Sequence, residues 1–216
     1  MEDCIREFEI GEGEVRPTLH IVQKTIGDVG CVVWDAALVL AKYLERLCSE
    51  EKDFLRGKKV LELGAGTGLV GLVAAYFGGD VTLTDLPEMF PLLGENVRRN
   101  ALICEGRATS KVLIWGWDLG QSKNEIPRPD IILVSDCIYY AESVDPLIET
   151  LLEFSDSETL ILMSYETRME FEKHAQLERD FFDKMKKSFH ETEIPKDELH
   201  PEFTSDDIRV LRFKKR

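Results

Sequence analysis

The run Val60-Leu61-Glu62-Leu63-Gly64-Ala65-Gly66-Thr67-Gly68 constrains the fold more than any other stretch of the chain. An apolar strand carrying one carboxylate is followed at once by three alternating glycines and then by the apolar helical segment Leu69-Val70-Gly71-Leu72-Val73. Glycine lets the backbone turn through left-handed conformations and approach another group closely. Free amides at a helix start can hold a negatively charged group. Strand, glycine turn and helix in that order open a βα crossover, and an acid inside the strand points to a cofactor pocket at the strand's carboxyl end.

The rest of the sequence continues the alternation. Strands are predicted at 59–63, 80–84, 111–115, 131–135 and 159–164, with helices at 69–77, 88–100, 144–154 and 169–188. The runs KVLEL, DIILV and TLILM are continuously apolar, as expected where helices cover both faces of a parallel sheet. Two last strands, 189–194 and 208–213, joined by the polar loop 195–207, suit a closing antiparallel hairpin. Ahead of the sheet, partial alternation over 15–23 with glycines at 11, 13 and 27 predicts an amino-terminal strand or hairpin outside it. Ala36, Ala37, Leu40, Leu44 and Leu47 recur at helical spacing and predict a helix over 35–49. No internal repeat, low-complexity tract or dividing linker interrupts the chain. The expectation is a single Rossmann-like α/β domain over 1–216, with an arm at 1–30, a core at 31–216 and a mostly parallel seven-stranded sheet.

Composition narrows the function classes. Five cysteines and four histidines show neither a Cys-x-x-Cys pair nor a zinc spacing, so no metal is expected and reduced thiols point to the cytoplasm or nucleus. No apolar run reaches the roughly 20 residues that span a bilayer, and the acidic start from Met1 to Ile10 lacks the pattern of a signal peptide. With 27 basic and 41 acidic residues the net charge of −14 opposes a nucleic-acid partner and favours a basic protein surface or a small cation. Acidity also serves solubility. A monomer with a protein substrate and no membrane association is the resulting expectation.

Each chemical candidate falls just beyond a strand end. Gly66, Gly68 and Gly71 match the G-x-G-x-x-G spacing of dinucleotide sites, but that pattern leaves Gly64, Ala65 and Glu62 without a role. An acid, a spacer and then Gly-x-Gly-x-Gly resembles the binding loop of S-adenosylmethionine enzymes. Asp85 can accept bonds from both hydroxyls of a ribose, or cap the helix after it. Trp115 can lie on an adenine ring, with Trp117 sharing its face, or belong to the core; Trp34 can cover the pocket from the amino-terminal side. Asp136 and Tyr139 place a carboxylate and a phenol beside a transferable methyl group. Methyl transfer is an in-line displacement, for which positioning is the main requirement. A lysine amine, of reference pKa about 10.4, must arrive deprotonated, and a neighbouring carboxylate opposes that. Asp136 is therefore expected to bind and orient the amine first, and Tyr139 to wall the channel. Cys137 and Ile138 stand where enzymes acting on planar amides or bases often carry Pro-Pro, which favours an aliphatic amine. Cys137 itself reads as an inert small apolar residue.

Five ordered segments, VVWDAALVL, VLELGAGTG, LTD, WG and DCIYY, resemble the seven-strand class of S-adenosylmethionine-dependent protein lysine methyltransferases, in particular those that modify chaperones and related ATPases. The resemblance implies that Trp34, Gly64, Ala65, Gly66, Asp85, Trp115 and Ser135 hold S-adenosylmethionine, that Glu62 supports the loop, and that Asp136 and Tyr139 face the acceptor lysine. Ser135 stands where the family usually has alanine. Tyr165-Glu166-Thr167-Arg168 and the tail SDDIRVLRFKK resemble the branch acting on a hexameric AAA ATPase of the valosin-containing protein type. That resemblance makes Tyr165, Glu166 and Arg168 candidates for substrate contacts, against a purely structural role. Alternatives are another chaperone substrate such as a 70-kDa heat-shock protein, a small-molecule amine, or an interaction module without catalysis.

Overall fold

The structure is a computed structural model that describes residues 3–11, 16–25, 27, 29–168 and 172–216. A hairpin of β1 (Asp3–Glu9) and β2 (Thr18–Lys24) precedes α1 (Asp35–Glu50). The core then runs β3 (Lys59–Leu63), α2 (Leu69–Tyr76), β4 (Asp80–Asp85), α3 (Phe90–Arg99), β5 (Ala108–Val112) and α4 (Leu119–Glu125). It continues through β6 (Ile131–Ser135), α5 (Ala141–Phe154), β7 (Leu160–Glu166), α6 (Glu172–Ser188), β8 (Phe189–Glu193) and β9 (Ile208–Lys215).

The seven-stranded sheet has the order β5-β4-β3-β6-β7-β9-β8, with β9 antiparallel to both its neighbours and the other neighbouring pairs parallel. The chain builds outward from β3 to β5 and then returns to lay β6 on the other side of β3. Strand order reverses there, so the crevice beyond the carboxyl ends of β3 and β6 is where a ligand fits an open α/β sheet.

Strand pleat divides the interior in two. Val60, Val81, Leu83, Leu133, Leu162 and Val210 join the apolar faces of α1 and α2 and the hairpin residues Phe8, Leu19 and Ile21. Their neighbours Leu61, Leu63, Ile132, Val134, Ile161, Met163, Leu211 and Phe213 join α5 and α6. Alternation by residue is the period of a strand, and both faces are apolar because helices cover both.

Three differences from the sequence expectation have a physical reason. The third core strand is Ala108–Val112 rather than 111–115, because its partner β4 ends at Asp85, opposite Val112, and the chain leaves the sheet after Leu113 donates to the Asp85 carbonyl at 2.9 Å. Helix α4 was not expected; it buries no residue and so leaves no apolar periodicity to read. Helix α5 begins at Ala141 instead of 144 and carries Pro146 inside it. The missing proline N–H would have met the carbonyl of exposed Glu142, which water can serve. The expected start of α6 at Met169 lies outside the described residues, as does Val15 at the start of the predicted first strand.

The hairpin is fastened to α3 by two asparagines. Asn96 accepts from Val22 N at 2.7 Å, donates to Val22 O at 3.0 Å and to Thr67 O at 2.9 Å. One turn on, Asn100 accepts from His20 N at 2.9 Å and donates to His20 O at 3.1 Å. Each side-chain amide imitates the backbone of a neighbouring strand and covers the edge that β2 would otherwise expose. On the far side, buried Lys42 pairs with Glu45 at 2.8 Å and donates to Glu9 O at 2.9 Å, while Glu45 accepts from Gly11 N. Replacing Asn96 by Ala leaves buried backbone groups unpaired, each costing about 1–3 kcal/mol. The expected result is a loss of about 2–3 kcal/mol in urea unfolding, with a smaller loss for Asn100→Ala, whose partner His20 is exposed. Equal losses for the two variants would refute this account of the clamp.

Candidate active site

The glycine loop is held from two adjacent strands. From β4, Asp85 Oδ2 accepts from Gly66 N at 2.6 Å and Oδ1 from Leu86 N at 2.7 Å. From inside β3, Glu62 Oε2 accepts from Gly71 N at 3.0 Å, in the first turn of α2. Gly64, Gly66 and Gly68 have φ of 62°, 54° and 85°, the left-handed region that favours glycine. Gly71 is needed for space: a Cβ there would lie 2.5 Å from Glu62 Oε2 and 2.7 Å from Leu83. The G-x-G-x-x-G match thus ends on a glycine that makes room for the acid in β3.

Glu62 is 2 % exposed, and burial pushes its carboxyl up to about 8; the Gly71 amide opposes that shift and Asp85 adds to it. Asp85 sits five residues before α3 begins at Phe90, so it holds the loop and lines the cleft and does not cap that helix.

The cleft above the loop encloses about 640 Å³. Its floor is Gly64, Ala65, Gly66 and Thr67, and its roof is the connection from Val29 to Trp34. Gly30 O stands 2.9 Å from where a Gly66 Cβ would be, so roof and floor touch at two glycines. Trp34 is 42 % exposed and donates through Nε1 to Val29 O at 2.8 Å. The Trp115 ring lies on the loop, its Cζ2 2.8 Å from a Gly64 Cβ position. Leu86, Met89 and Ile114 complete the apolar walls. Trp117, expected to share the face of Trp115, is 71 % exposed and does not line the cleft.

Ser135 ends β6 at the inner wall, its hydroxyl 3.2 Å from that of Ser164, which donates to Ala36 O. Asp136 follows in a left-handed conformation, φ 51°, rare for a residue with a side chain. It is 9 % exposed, and its carboxylate accepts from both arms of Arg168, Nη2 to Oδ2 at 2.6 Å and Nη1 to Oδ1 at 3.1 Å, and from Glu166 N at 3.2 Å. Glu166 Oε2 accepts from Arg168 as well, at 2.9 Å. The bonds to Asp136 first, and the charge of Glu166, hold the Arg168 guanidinium above its ordinary value. Tyr139 lines the cleft edge-on to Tyr140 with ring centroids 4.6 Å apart. Cys137 is buried against Leu63 O and Ser135 O, and burial raises its thiol far above the range of a nucleophile.

Of the three expected substrate contacts, Arg168 lines the cleft and Glu166 reaches its rim through Arg168. Tyr165 does not. Strand pleat turns it to the α6 face, where it is 2 % exposed, donates to Glu178 at 2.9 Å and accepts from Arg209 at 2.6 Å. The Arg168 to Asp136 pairing was not read from the sequence, since the two residues lie on different strand ends. The lining residues Gly30, Leu86, Met89, Ile114, Glu142 and His174 were also missed, and only the apolar residues after strand ends carried a usable signal.

Glu62, Asp85, Glu88, Asp136 and Glu142 line the cleft with one arginine, one histidine and no lysine among the described residues. Such a site favours cationic ligands. The raised Glu62 carboxyl makes stability depend on pH. Between about 4.5 and about 8 the folded state keeps a proton that the unfolded state has lost, so stability falls as pH rises through that window. Glu62→Gln is expected to flatten this part of the urea-midpoint profile, and an unchanged slope would refute the assignment. Gly71→Ala, which forces a methyl against Glu62, is expected to cost about 1–3 kcal/mol at any pH.

The family model described as lysine methyltransferase matches residues 14–188. The chain is 40 % identical over 161 residues to the protein N-lysine methyltransferase METTL21A of Xenopus tropicalis, covering 74 % of this chain and 69 % of that one. It is 39 % identical over 143 residues to EEF1A lysine methyltransferase 3 of Xenopus tropicalis, covering 66 % and 60 %. The solved magnesium protoporphyrin IX methyltransferase of Synechocystis PCC 6803 with bound SAH superposes with a TM-score of 0.56 at 16 % identity, covering 84 % of each chain, and so shares the fold. The chain belongs to the lysine methyltransferase family, an enzyme that takes its methyl group from S-adenosylmethionine.

Proposed function

We propose that the enzyme methylates a lysine on a AAA ATPase of the valosin-containing protein type, with Asp136 and Tyr139 at the acceptor end of the cleft. The observation that carries the reading is the buried, left-handed Asp136 beside the glycine loop, at the end of β6 where strand order reverses. S-adenosylmethionine supplies a methyl carbon bonded to a sulfonium. The residues present fit it: a cradle of glycines that a Cβ would fill, Asp85 for ribose hydroxyls, Trp115 beside the loop and an excess of carboxylates for positive charge. Trp34, Ala65 and Ser135 complete the binding surface, and Glu62 fixes the loop.

When bound there, S-adenosylmethionine would supply its methyl group to a deprotonated lysine amine, leaving S-adenosylhomocysteine, and the methylated amine would give up one proton. A carboxylate has about four lone-pair sites, and Asp136 Oδ2 takes one bond from Arg168, which leaves room for the amine. Tyr139 and Tyr140 narrow the approach to a slender aliphatic chain. The substrate reading is supported by the Tyr165-Glu166-Thr167-Arg168 and carboxyl-terminal similarity to the valosin-containing protein lysine methyltransferase and by the net charge of −14. Five free cysteines agree with a cytoplasmic or nuclear enzyme.

Incubation with labelled cofactor and three recombinant acceptors, valosin-containing protein, a 70-kDa heat-shock protein and elongation factor 1A, followed by mass spectrometry, tests the substrate. Label on a lysine of the first is expected; label confined to either of the others overturns the substrate while keeping the enzyme. Asp136→Asn keeps a residue suited to the left-handed backbone and is expected to lower transfer about 100-fold with cofactor affinity little changed in calorimetry. Gly64→Ala, with a methyl 2.7 Å from Cys137 Sγ, is expected to weaken cofactor binding at least about tenfold. Wild-type affinity in that variant would remove the loop from the cofactor site.

A further inference from the structure

Resting on that reading, we propose that Arg168 is a positioning residue that serves as the counter-charge of the acceptor end. Paired with Asp136, it leaves a carboxylate that still accepts a hydrogen bond from the amine but no longer exerts the field that would keep the amine an ammonium. The difficulty it resolves is built into the chemistry. An uncompensated carboxylate beside a lysine raises the amine's pKa by about 1–3 units, and an ammonium has no lone pair to attack with.

The geometry is specific to this use. Both arms of the guanidinium meet Asp136 in a two-point fork, with side-chain exposure of 22 % for Arg168 and 6 % for Asp136, so salt screens the pair little. Arg168 Cζ lies 5.8 Å from the Trp34 ring, which fixes the fork from the roof side. Asp136, Glu166 and Arg168 carry one net negative charge together and would carry two without the arginine. The rest of the cleft adds negative or titratable groups: Glu62 from β3, Asp85 from β4, Glu88 ahead of α3, Cys137, Tyr139 and Tyr140 from the turn after β6, Glu142 from α5 and His174 from α6. A guanidinium cannot lose its proton at any working pH, so the compensation is constant where that of a lysine or histidine would fade.

The test uses Arg168→Gln, Arg168→Lys and Glu166→Gln in the full chain, read in two ways. The first is the pH dependence of methyl transfer to valosin-containing protein. Arg168→Gln is expected to move the rising limb up by about one pH unit, Glu166→Gln to move it down, and Arg168→Lys to restore its position at a reduced rate. The second is the ratio of calorimetric affinities for S-adenosylmethionine and S-adenosylhomocysteine, which differ by the sulfonium charge. Arg168→Gln is expected to shift that ratio about threefold to tenfold toward the sulfonium, and Glu166→Gln to shift it the other way. A rate lowered by the same factor at every pH, with the affinity ratio unmoved, overturns the proposal and leaves Arg168 a fastener between β7 and the turn after β6. If Arg168→Gln does not fold, the opposite shifts of Glu166→Gln carry the test. Wild-type protein that labels none of the three acceptors would end the substrate reading, whereas the affinity ratio would still decide whether Arg168 offsets the local charge.

Discussion

Two acidic side chains on neighbouring strands hold the glycine loop, and the rest of the site is arranged on what they hold. Asp85 ties Gly66 to the end of β4, and Glu62 ties the first turn of α2 to the middle of β3. A hydrogen bond to a charged group is worth about 1.5–3 kcal/mol, yet the upward displacement of the Glu62 carboxyl shows that desolvation outweighs what the Gly71 amide returns. The position is therefore sustained by the apolar burial around it, with Val70, Leu72, Val73 and Leu83 each 1 % exposed or less and worth about 1.5–3 kcal/mol apiece. The fold carries a local cost at Glu62 in order to fix a loop whose amides and glycines face the cleft.

Strand pleat separates chemistry from packing at the other end of the site. In β7, Ser164 points to the α1 side and joins Ser135 at the inner wall, while the next residue, Tyr165, points to the α6 side and locks to Glu178 and Arg209. Beyond β7 the chain is released from the pleat, and Arg168 swings back to Asp136. The left-handed turn at Asp136 directs its carboxylate to meet that fork. Placement at this end of the cleft is a property of where strands stop, and both residues lie just past such a stop.

Much of this was legible in the residues. Continuous apolar runs gave the parallel core, the glycine spacing gave the loop, and the acid in KVLEL was recognisable because nothing in a simple turn requires it. The unread parts have physical reasons. Helix α4 has no buried face, and β5 stops where its partner stops, a fact of pairing and not of propensity. Asn96 lies on the apolar face of α3 near Leu92 and Leu93, an anomaly visible in the pattern, but its partner Val22 is brought beside it only by the folded hairpin. Tyr165 was misread toward the substrate because adjacent residues in a strand share a motif but not a face. Arg168 and Asp136 could be listed as neighbours of a site from sequence, though not as partners of each other.

The asparagine clamp on β2 has a thermodynamic consequence. The roof from Val29 to Trp34 is suspended between the clamped hairpin and the core helix α1, with Gln23 accepting from Val33 N at 2.7 Å partway along. Any ligand that fills the cleft and touches this roof is linked by mass action to the docking of the whole amino-terminal hairpin. A ligand present at a hundred times its Kd adds about 2.7 kcal/mol to whatever must be intact for binding. Here that includes two strands lying outside the main sheet, so the degree to which the amino-terminal arm stays docked becomes a readout of how fully the cleft is occupied.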